Sequence, residues 1–312
     1  MKPNRFGWID NPQAVENVLK TLPHPIFKNS VIVKDSNTTT LLYDYYQKVT
    51  NTVAPQGPQG IGDCVSWGWS NKINYVQVVT ILDILHQEKE LNNFLEKGWE
   101  ANSTLQDLKK EYAFEEIASE SVYGFSRVEV GQQHNSYEDG SVGAWAAKAA
   151  TDYGHLTRKI VGSYNPNRAK EWGAKGVPDN YEPEAKIHTV KVASLVTTIE
   201  EAKHAITINK MPVTICSNQG FTTTRDNNGF CQPSGVWYHC MLVVGYREDM
   251  DGFCISQSWG PNEPNGPLAL NQPTNTFWIA SNVMSKILSQ GDSFTVDSFN
   301  MYRNRSYLDW TH

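Results

Sequence analysis

The sequence has no excess of basic side chains. Its 312 residues include 27 Lys and Arg against 33 Asp and Glu, which gives a formal net charge of -6 at pH 7. A protein that binds nucleic acid concentrates Lys and Arg to neutralise the phosphates. The composition therefore argues against a nucleic-acid partner, and its 39% hydrophobic and 19% charged residues are those of an ordinary folded protein.

Long hydrophobic runs are also lacking. No stretch approaches the roughly 18 apolar residues that a membrane span needs. The polar, proline-containing residues 1–30 lack the apolar run of a signal peptide. We expect a soluble protein with no membrane partner; its compartment stays open, with the cytoplasm and a virus particle as the two candidates.

Cysteine is scarce, and its number is odd. Five cysteines are too few for a disulfide scaffold in a chain of this length, and at least one of them cannot pair within the chain. The histidines show no metal-ligand spacing among themselves or with the cysteines. No phosphate loop or dinucleotide-binding glycine motif follows a predicted strand. We expect at least one unpaired thiol, no metal ion and no cofactor.

What the sequence does contain is, first, a strongly apolar helix. Residues 63–86 are apolar over much of a helix circumference, which is typical of a core helix. The preceding residues 55–62 are rich in Pro and Gly and place Cys64 in the first turn. A helix N-terminus lowers the pKa of a thiol, so Cys64 is a candidate nucleophile. A buried cysteine that only packs in the core is the alternative.

The two halves of the chain differ in their patterns. Helix patterns dominate the first half, which includes an alanine-rich helix over residues 143–153. Strand patterns dominate the second half, where one helix (198–208) interrupts five predicted strands: residues 189–196, 211–216, 240–246, 252–257 and 275–279. We therefore expect an α+β protein with two lobes and a cleft between them.

A histidine and an amide side chain occur at the ends of two adjacent predicted strands. His239 opens one strand, and Gln257 ends the next. A base with an orienting partner is the arrangement that activates a cysteine nucleophile. Gln59, which precedes Cys64, could donate a hydrogen bond to a developing oxyanion. A core histidine near a surface turn is the alternative for His239.

Five segments resemble those of papain-like cysteine peptidases (peptidase family C1) and occur in the order of that family. Residues 59–69 (QGIGDCVSWGW) resemble the active-site segment, and residues 239–246 (HCMLVVGY) resemble the histidine strand. Residues 256–260 (SQSWG) resemble the family's Asn-Ser-Trp-Gly. Residues 140–154 and 198–216 resemble the segments between these motifs. The chain therefore looks like a divergent member, of a bacterial or phage type.

The resemblance covers about residues 42–278 and implies a papain-like two-lobed fold. A helical lobe faces an antiparallel β-barrel-like lobe, with the active-site cleft between them. The expected parts are an N-terminal extension (1–41), a helical lobe (42–162) with an insertion (87–120), a β-rich lobe (163–281) and a C-terminal extension (282–312).

The resemblance also implies catalytic roles. Cys64 would be the nucleophile and His239 its proton partner, while Gln59 and the Cys64 backbone N–H would form the oxyanion hole. Gln257 stands where the family has an asparagine that orients the histidine, and Trp259 would shield that contact.

The same resemblance implies a substrate-binding surface. Gly140 and Ser141 match the glycine pair that hydrogen-bonds an extended peptide backbone. Val142 falls near the pocket for the second residue before the cut. The implied substrate is a peptide or protein bound in β-like fashion.

Four features depart from the family pattern. Gln257 is one methylene longer than asparagine, which puts full activity in doubt. Gln59 is one residue closer to Cys64 than in papain, so Gln56 is a second candidate for the oxyanion hole. The disulfide of the helical lobe is absent. About fifty residues precede the first motif, too few for the usual inhibitory propeptide.

Two functions from different classes follow. The first is a thiol hydrolase that cleaves peptide bonds through Cys64, His239 and Gln257. The second is a papain-fold structural or binding component, for example of a virus particle, with weak or no activity. Transfer or amidase chemistry by the same Cys/His pair is a third reading. Residues 87–120 and the C-terminal segment are the expected surfaces for an assembly partner.

Overall fold

The computed structural model of the protein describes residues 6–27, 38–95 and 114–299. Helices dominate its first half. They are α1 (Pro12–Leu19), α2 (Leu42–Thr50), α3 (Cys64–Leu95), α4 (Ser119–Gly124), which continues as a π-helix (Phe125–Val130), α5 (Gly143–Asp152), α6 (Arg158–Val161), α7 (Pro166–Lys175) and α8 (Glu182–Ala185). Two 3-10 turns flank α8 (Asp179–Tyr181 and Lys186–His188).

An antiparallel sheet dominates the second half. Its strands are β1 (Thr40–Leu41), β2 (Val190–Leu195), β3 (Val213–Phe221), β4 (Pro233–Arg247), β5 (Gly252–Ser256), β6 (Thr276–Ala280) and β7 (Phe294–Phe299). The strand order is β2-β7-β3-β4-β5-β6, with β1 paired to β4. Helices α9 (Ile199–Thr207) and α10 (Ser281–Leu288) pack against it. Within the described residues β2 and β6 do not pair, so the expected barrel-like lobe is an open sheet.

Helix α3 joins the two halves. It packs against α2, α4 and α5 and also against β3, β4 and β7. Its first 21 residues (64–84) are almost all buried, because apolar side chains cover most of its circumference. Side chains of α3 belong to both large hydrophobic clusters, the one under α1 and α5 and the one under the sheet. In the described parts of the chain, no helix is both long and apolar enough to cross a membrane.

Two segments that the resemblance left unexplained are partly described. Residues 87–95 of the expected insertion continue α3, and residues 96–113 lie outside the described residues. Residues 282–299 of the expected C-terminal extension supply most of α10 and all of β7, and β7 lies inside the sheet between β2 and β3. Residues 300–312 also lie outside the described residues.

Candidate active site

Cys64 is the first residue of α3 and lies where the helix meets the sheet. Its Sγ accepts a hydrogen bond of 3.3 Å from the backbone N–H of Cys240, and its side chain is fully buried. The loop before it is fixed by a 2.9 Å bond from the Gly60 N–H to the Tyr164 hydroxyl. The predicted nucleophile therefore contacts the β4 residue that directly follows His239.

His239 is buried on β4 against an aromatic cover. Its ring packs on the indole of Trp259, with centroids 4.6 Å apart, and Trp259 in turn contacts Trp237 at 4.7 Å. Among the described residues, neither ring nitrogen of His239 has a hydrogen-bond partner. His239 thus packs on Trp259, as the resemblance implies. No hydrogen bond from the described residues orients its ring.

Gln257 does not hydrogen-bond to His239. The Gln257 side-chain N–H donates to the carbonyl of Glu263 instead. Its Oε1 is buried and has no partner in the described part of the chain. The predicted Cys/His/Gln triad is therefore not assembled in this state.

Gln59 lies in the loop that leads to Cys64. Its Nε2 donates to the Ile61 carbonyl at 2.8 Å, and its Oε1 accepts a 2.5 Å bond from the Ser258 hydroxyl. The alternative candidate Gln56 accepts a long bond of 3.4 Å from the Thr274 hydroxyl. The structure therefore ties Gln59 both to the nucleophile loop and to the residue before Trp259.

A short segment near the N-terminus, residues 6–9, occupies the cleft; we call it the cleft segment. The Ser141 N–H donates to the Gly7 carbonyl at 2.8 Å, and the Ile9 N–H donates to the Ser141 carbonyl at 2.9 Å. These two bonds form an isolated parallel β-bridge. The Gly7 N–H also donates to the Tyr238 carbonyl at 3.0 Å. The cleft segment therefore uses the backbone groups of Ser141 that the resemblance assigns to peptide binding.

Gly7 packs so closely that no other residue fits. A Cβ added to it would lie 1.9 Å from the carbonyl oxygen of Gly62. The backbone N–H of Gly7 also hydrogen-bonds to Cys64. The cleft segment therefore contacts the candidate nucleophile through a backbone N–H.

The chain before the first motif is too short for the usual inhibitory propeptide, and that expectation stays a prediction. Residues 6–9 nonetheless lie along Ser141 as a single extended stretch. The edge of the Phe6 ring contacts Trp259 at a centroid distance of 5.9 Å, which extends the blockage over the aromatic cover of His239.

The π-helix supports residues 140–141, which the resemblance assigns to peptide binding and which we call the peptide-binding stretch. Arg127 is buried there, and its guanidinium donates to the carbonyls of Gly140, Ser136 (3.1 Å) and Gly173 (2.8 Å). These bonds fix the loop that ends in Ser141. Nothing in the motif pattern indicated this arginine, because its three acceptors are backbone groups distant in sequence.

Burial keeps the Cys64 thiol and the His239 imidazole neutral. Desolvation raises the pKa of the Cys64 thiol well above its usual value, although backbone N–H groups of Cys240 and Gly7 act in the opposite direction. Desolvation also lowers the pKa of His239 to about 3. At neutral pH the closed cleft therefore holds a thiol and a neutral imidazole, and not a reactive thiolate–imidazolium pair.

We expect His239 to titrate only when the cleft opens. In the wild-type protein its ring stays neutral at pH 5, since its pKa is about 3. In a Gly7→Ala variant, whose cleft segment is displaced, water reaches the ring and its pKa rises, so the ring is protonated at pH 5. Because the open form then binds a proton that the closed form excludes, acidification below the open-form pKa favours opening through this group.

Nitrogen NMR of labelled histidine measures this difference, with the His239 signals assigned from a His239→Gln variant. His155 serves as an internal control, because burial lowers its pKa to about 4 in another part of the molecule and the Gly7 substitution should leave it unchanged. A His239 ring that is neutral at pH 5 in both proteins would contradict the expectation.

Comparison with solved structures gives the fold. The chain is similar to xylellain, a cysteine protease from Xylella fastidiosa, with a TM-score of 0.56 at 14% identity over 95% of this chain and 96% of that one. It is also similar to procathepsin B S9 from Trypanosoma congolense (TM-score 0.51, 8% identity, 94% and 91% covered). The proform of the ragweed pollen allergen Amb a 11, a cysteine protease, gives 0.50 at 10% identity over 94% and 74%.

No protein-family model matches the sequence, and no curated protein matches it either. The structural likeness therefore rests on the arrangement of helices and strands and not on sequence identity. The chain has an α+β papain-like cysteine-protease fold, in which α3 carries the candidate nucleophile against an open antiparallel sheet.

Proposed function

We propose that this protein is a papain-type cysteine peptidase whose cleft is closed by its own residues 6–9. The observation that carries the proposal is the backbone pairing of that segment with Ser141, directly above Cys64. An extended peptide is the ligand that this surface accepts, and a buried thiol at a helix N-terminus lies beside it. The substrate class is therefore an extended peptide or an unfolded protein segment.

The chemistry begins when the cleft segment leaves. Hydration lowers the pKa of the Cys64 thiol and raises that of His239, so that a proton moves from sulfur to imidazole. The thiolate attacks the substrate carbonyl carbon, and the backbone N–H of Cys64 together with the Gln59 amide stabilises the oxyanion. His239 then donates its proton to the leaving amine, which leaves an acyl-enzyme.

Water completes the cycle. His239, now neutral, takes a proton from a water molecule that attacks the thioester. Cys64 leaves as the thiolate, and the second product carries the new carboxylate. Trp259 keeps one face of the imidazole dry through its 4.6 Å ring contact. Gln257 orients the imidazole in this scheme once its Oε1, which has no partner among the described residues, turns toward the ring.

A second candidate is a papain-fold binding component without turnover. It is favoured by the contact that Gln257 makes with Glu263 in place of His239 and by the fully occupied cleft. In this reading the fold presents a peptide-binding groove, and the cysteine is a buried core residue.

Activity of the full-length Gly7→Ala variant separates the two candidates. We expect it to hydrolyse fluorogenic peptide amides and to be labelled at residue 64 by an epoxide inhibitor of papain-type enzymes. The same variant carrying Cys64→Ala should lose at least about 10⁴-fold in turnover. A Gly7→Ala protein whose Cys64 reacts with iodoacetamide but which cleaves no peptide in a random library would support the binding component instead.

A further inference from the structure

Three of the five cysteines lie together where α3 meets the sheet: Cys64, Cys216 and Cys240. All three are buried, and none forms a disulfide. The Cys240 backbone N–H donates to the Cys64 sulfur at 3.3 Å, and the thiols of Cys216 and Cys240 hydrogen-bond to each other. Cys64 and Cys216 also interact electrostatically. The candidate nucleophile therefore has two further thiols behind it, one on β4 and one on β3.

The register of the sheet places the two strand thiols opposite each other. Cys216 on β3 and Cys240 on β4 are direct partners in the antiparallel pairing. Because the Cys240 N–H donates to Cys64 and not to β3, these two residues form a non-hydrogen-bonded pair. The Cα atoms of such a pair lie about 4.5 Å apart, which is within the range that a disulfide bridges. The backbone is therefore compatible with a Cys216–Cys240 disulfide.

Cys240 is the thiol that adjoins both of the others. A Cβ added to Gly68 on α3 would lie 3.1 Å from the Cys240 sulfur. Gly68 comes one helical turn after Cys64, so the two positions share a face of α3. Both sulfurs therefore lie along one face of this helix, and the absent side chain of Gly68 leaves room for them to meet.

A buried lysine of α3 faces the strand thiols. Lys72 interacts electrostatically with Cys216 and Cys240, and burial lowers its pKa well below the usual range. Its amine can therefore be neutral and accept a thiol proton. Asp292, whose carboxylate accepts the Trp8 indole N–H at 2.7 Å, faces Lys72 and Cys216 as well. The thiol cluster thus has a proton acceptor inside the core.

We propose that Cys240 and Cys216 form a thiol relay that returns Cys64 to its reduced state after oxidation by hydrogen peroxide. The proposal goes beyond peptide hydrolysis, because it concerns the fate of Cys64 when the open cleft admits a peroxide. A thiolate at Cys64 is the reactive form in both reactions. The relay does not require that the protein cleave peptides.

The relay has three steps. The Cys64 thiolate attacks a peroxide oxygen, which gives a sulfenic acid and releases hydroxide. The Cys240 thiol attacks the Cys64 sulfur, so that a Cys64–Cys240 disulfide forms and water leaves. The Cys216 thiol then loses its proton, attacks the Cys240 sulfur and displaces Cys64 as the thiolate. That proton and the hydroxide make a second water, so the net reaction oxidises Cys216 and Cys240 to one disulfide and reduces the peroxide to water.

Mass spectrometry of the full-length Gly7→Ala protein after exposure to hydrogen peroxide tests the relay. We expect a Cys216–Cys240 disulfide and a free thiol at Cys64. With Cys216→Ala added, the reaction should stop at a Cys64–Cys240 disulfide. With Cys240→Ala added, sulfinic acid should accumulate at Cys64 at least about 10-fold faster than with Cys254→Ala, because no second thiol adjoins the sulfenic acid.

Cys254→Ala is the matched control. Cys254 is as buried as the relay thiols, but its partners in the sheet are Gly245 on β4 and Trp278 on β6. Its removal should therefore leave the Cys216–Cys240 disulfide as the product.

Sulfinic acid that forms at Cys64 equally fast with Cys240→Ala and with Cys254→Ala would overturn the relay. A protein in which iodoacetamide alkylates Cys64 but peroxide yields no Cys216–Cys240 disulfide would overturn it too. If Cys240→Ala fails to fold, the product formed with all five cysteines present still decides the matter. These readouts do not depend on hydrolysis, so a protein that forms the disulfide and cleaves no peptide would refute the peptidase function and leave the relay standing.

Discussion

Replacing Gly7 by alanine raises the alkylation rate of Cys64 by about two orders of magnitude. The added methyl carbon would lie 1.9 Å from the backbone oxygen of Gly62, and a backbone carbonyl cannot move aside as a flexible side chain can. The cleft segment must therefore shift, and it loses several backbone hydrogen bonds worth about 1 kcal/mol each. A loss of about 3 kcal/mol changes the open population by about 100-fold.

The measurement is the rate of iodoacetamide incorporation at residue 64, followed by mass spectrometry under native conditions. When opening and closing are fast, this rate follows the open population. Gln13→Ala is the matched control, because Gln13 is exposed on α1, a few residues beyond the cleft segment. Equal rates in Gly7→Ala and Gln13→Ala would mean that the contact with Gly62 does not hold the cleft closed.

Replacing Arg127 by methionine lowers the free energy of unfolding by about 4 kcal/mol. The guanidinium donates to three carbonyls, those of Gly140 and Gly173 in the interior and that of Ser136 in a half-buried loop. Hydrogen bonds to a charged donor contribute about 1.5–3 kcal/mol each. Methionine keeps the apolar volume but leaves these acceptors without a donor. Removing a buried charge offsets part of the loss, which is why we expect less than the sum of three bonds.

Urea unfolding followed by circular dichroism measures this change. The control is Lys175→Met, which removes an exposed cation from α7, close to Gly173. Its ion pair with Glu171 is exposed on both sides, so we expect no measurable change in the free energy of unfolding. If Arg127→Met costs less than about 1 kcal/mol, the three carbonyls are satisfied in another way and the support of the peptide-binding stretch is misassigned.

Features with a strong local pattern could be predicted from the sequence. The helix that begins at Cys64 follows from its apolar circumference and from the turn residues before it. The strand that carries His239 and the strand that ends just before Gln257 follow from runs of apolar and β-branched residues. The papain-like fold follows from the order of the motifs. The predicted strand at residues 240–246 was nonetheless too short, because β4 runs from Pro233 to Arg247.

Contacts between segments distant in sequence were not predicted. Trp8 and Asp292 are separated by 284 residues, and no local pattern connects an N-terminal tryptophan to a carboxylate near the other end. Strand β7 was missed because its Asp297 and Ser298 interrupt the apolar pattern. The orientation of Gln257 was also beyond the sequence, since its amide N–H meets the carbonyl of Glu263, in a loop outside the motifs.

The register between β3 and β4 is regular on one side of the pair Ser217–His239 and irregular on the other. From Val213 to Ser217 the register is regular and ends opposite His239, whereas beyond Ser217 two successive irregularities shift it. Side chains alternate between the faces of a strand, so a slip of one residue in the regular part would exchange His239 with Cys240. The irregular pairs lie on the outer side, where the Tyr238 carbonyl accepts the N–H of Gly7. The regular register therefore fixes His239 on its face of β4 beside Cys240, whose N–H contacts Cys64, independently of the register of the outer half.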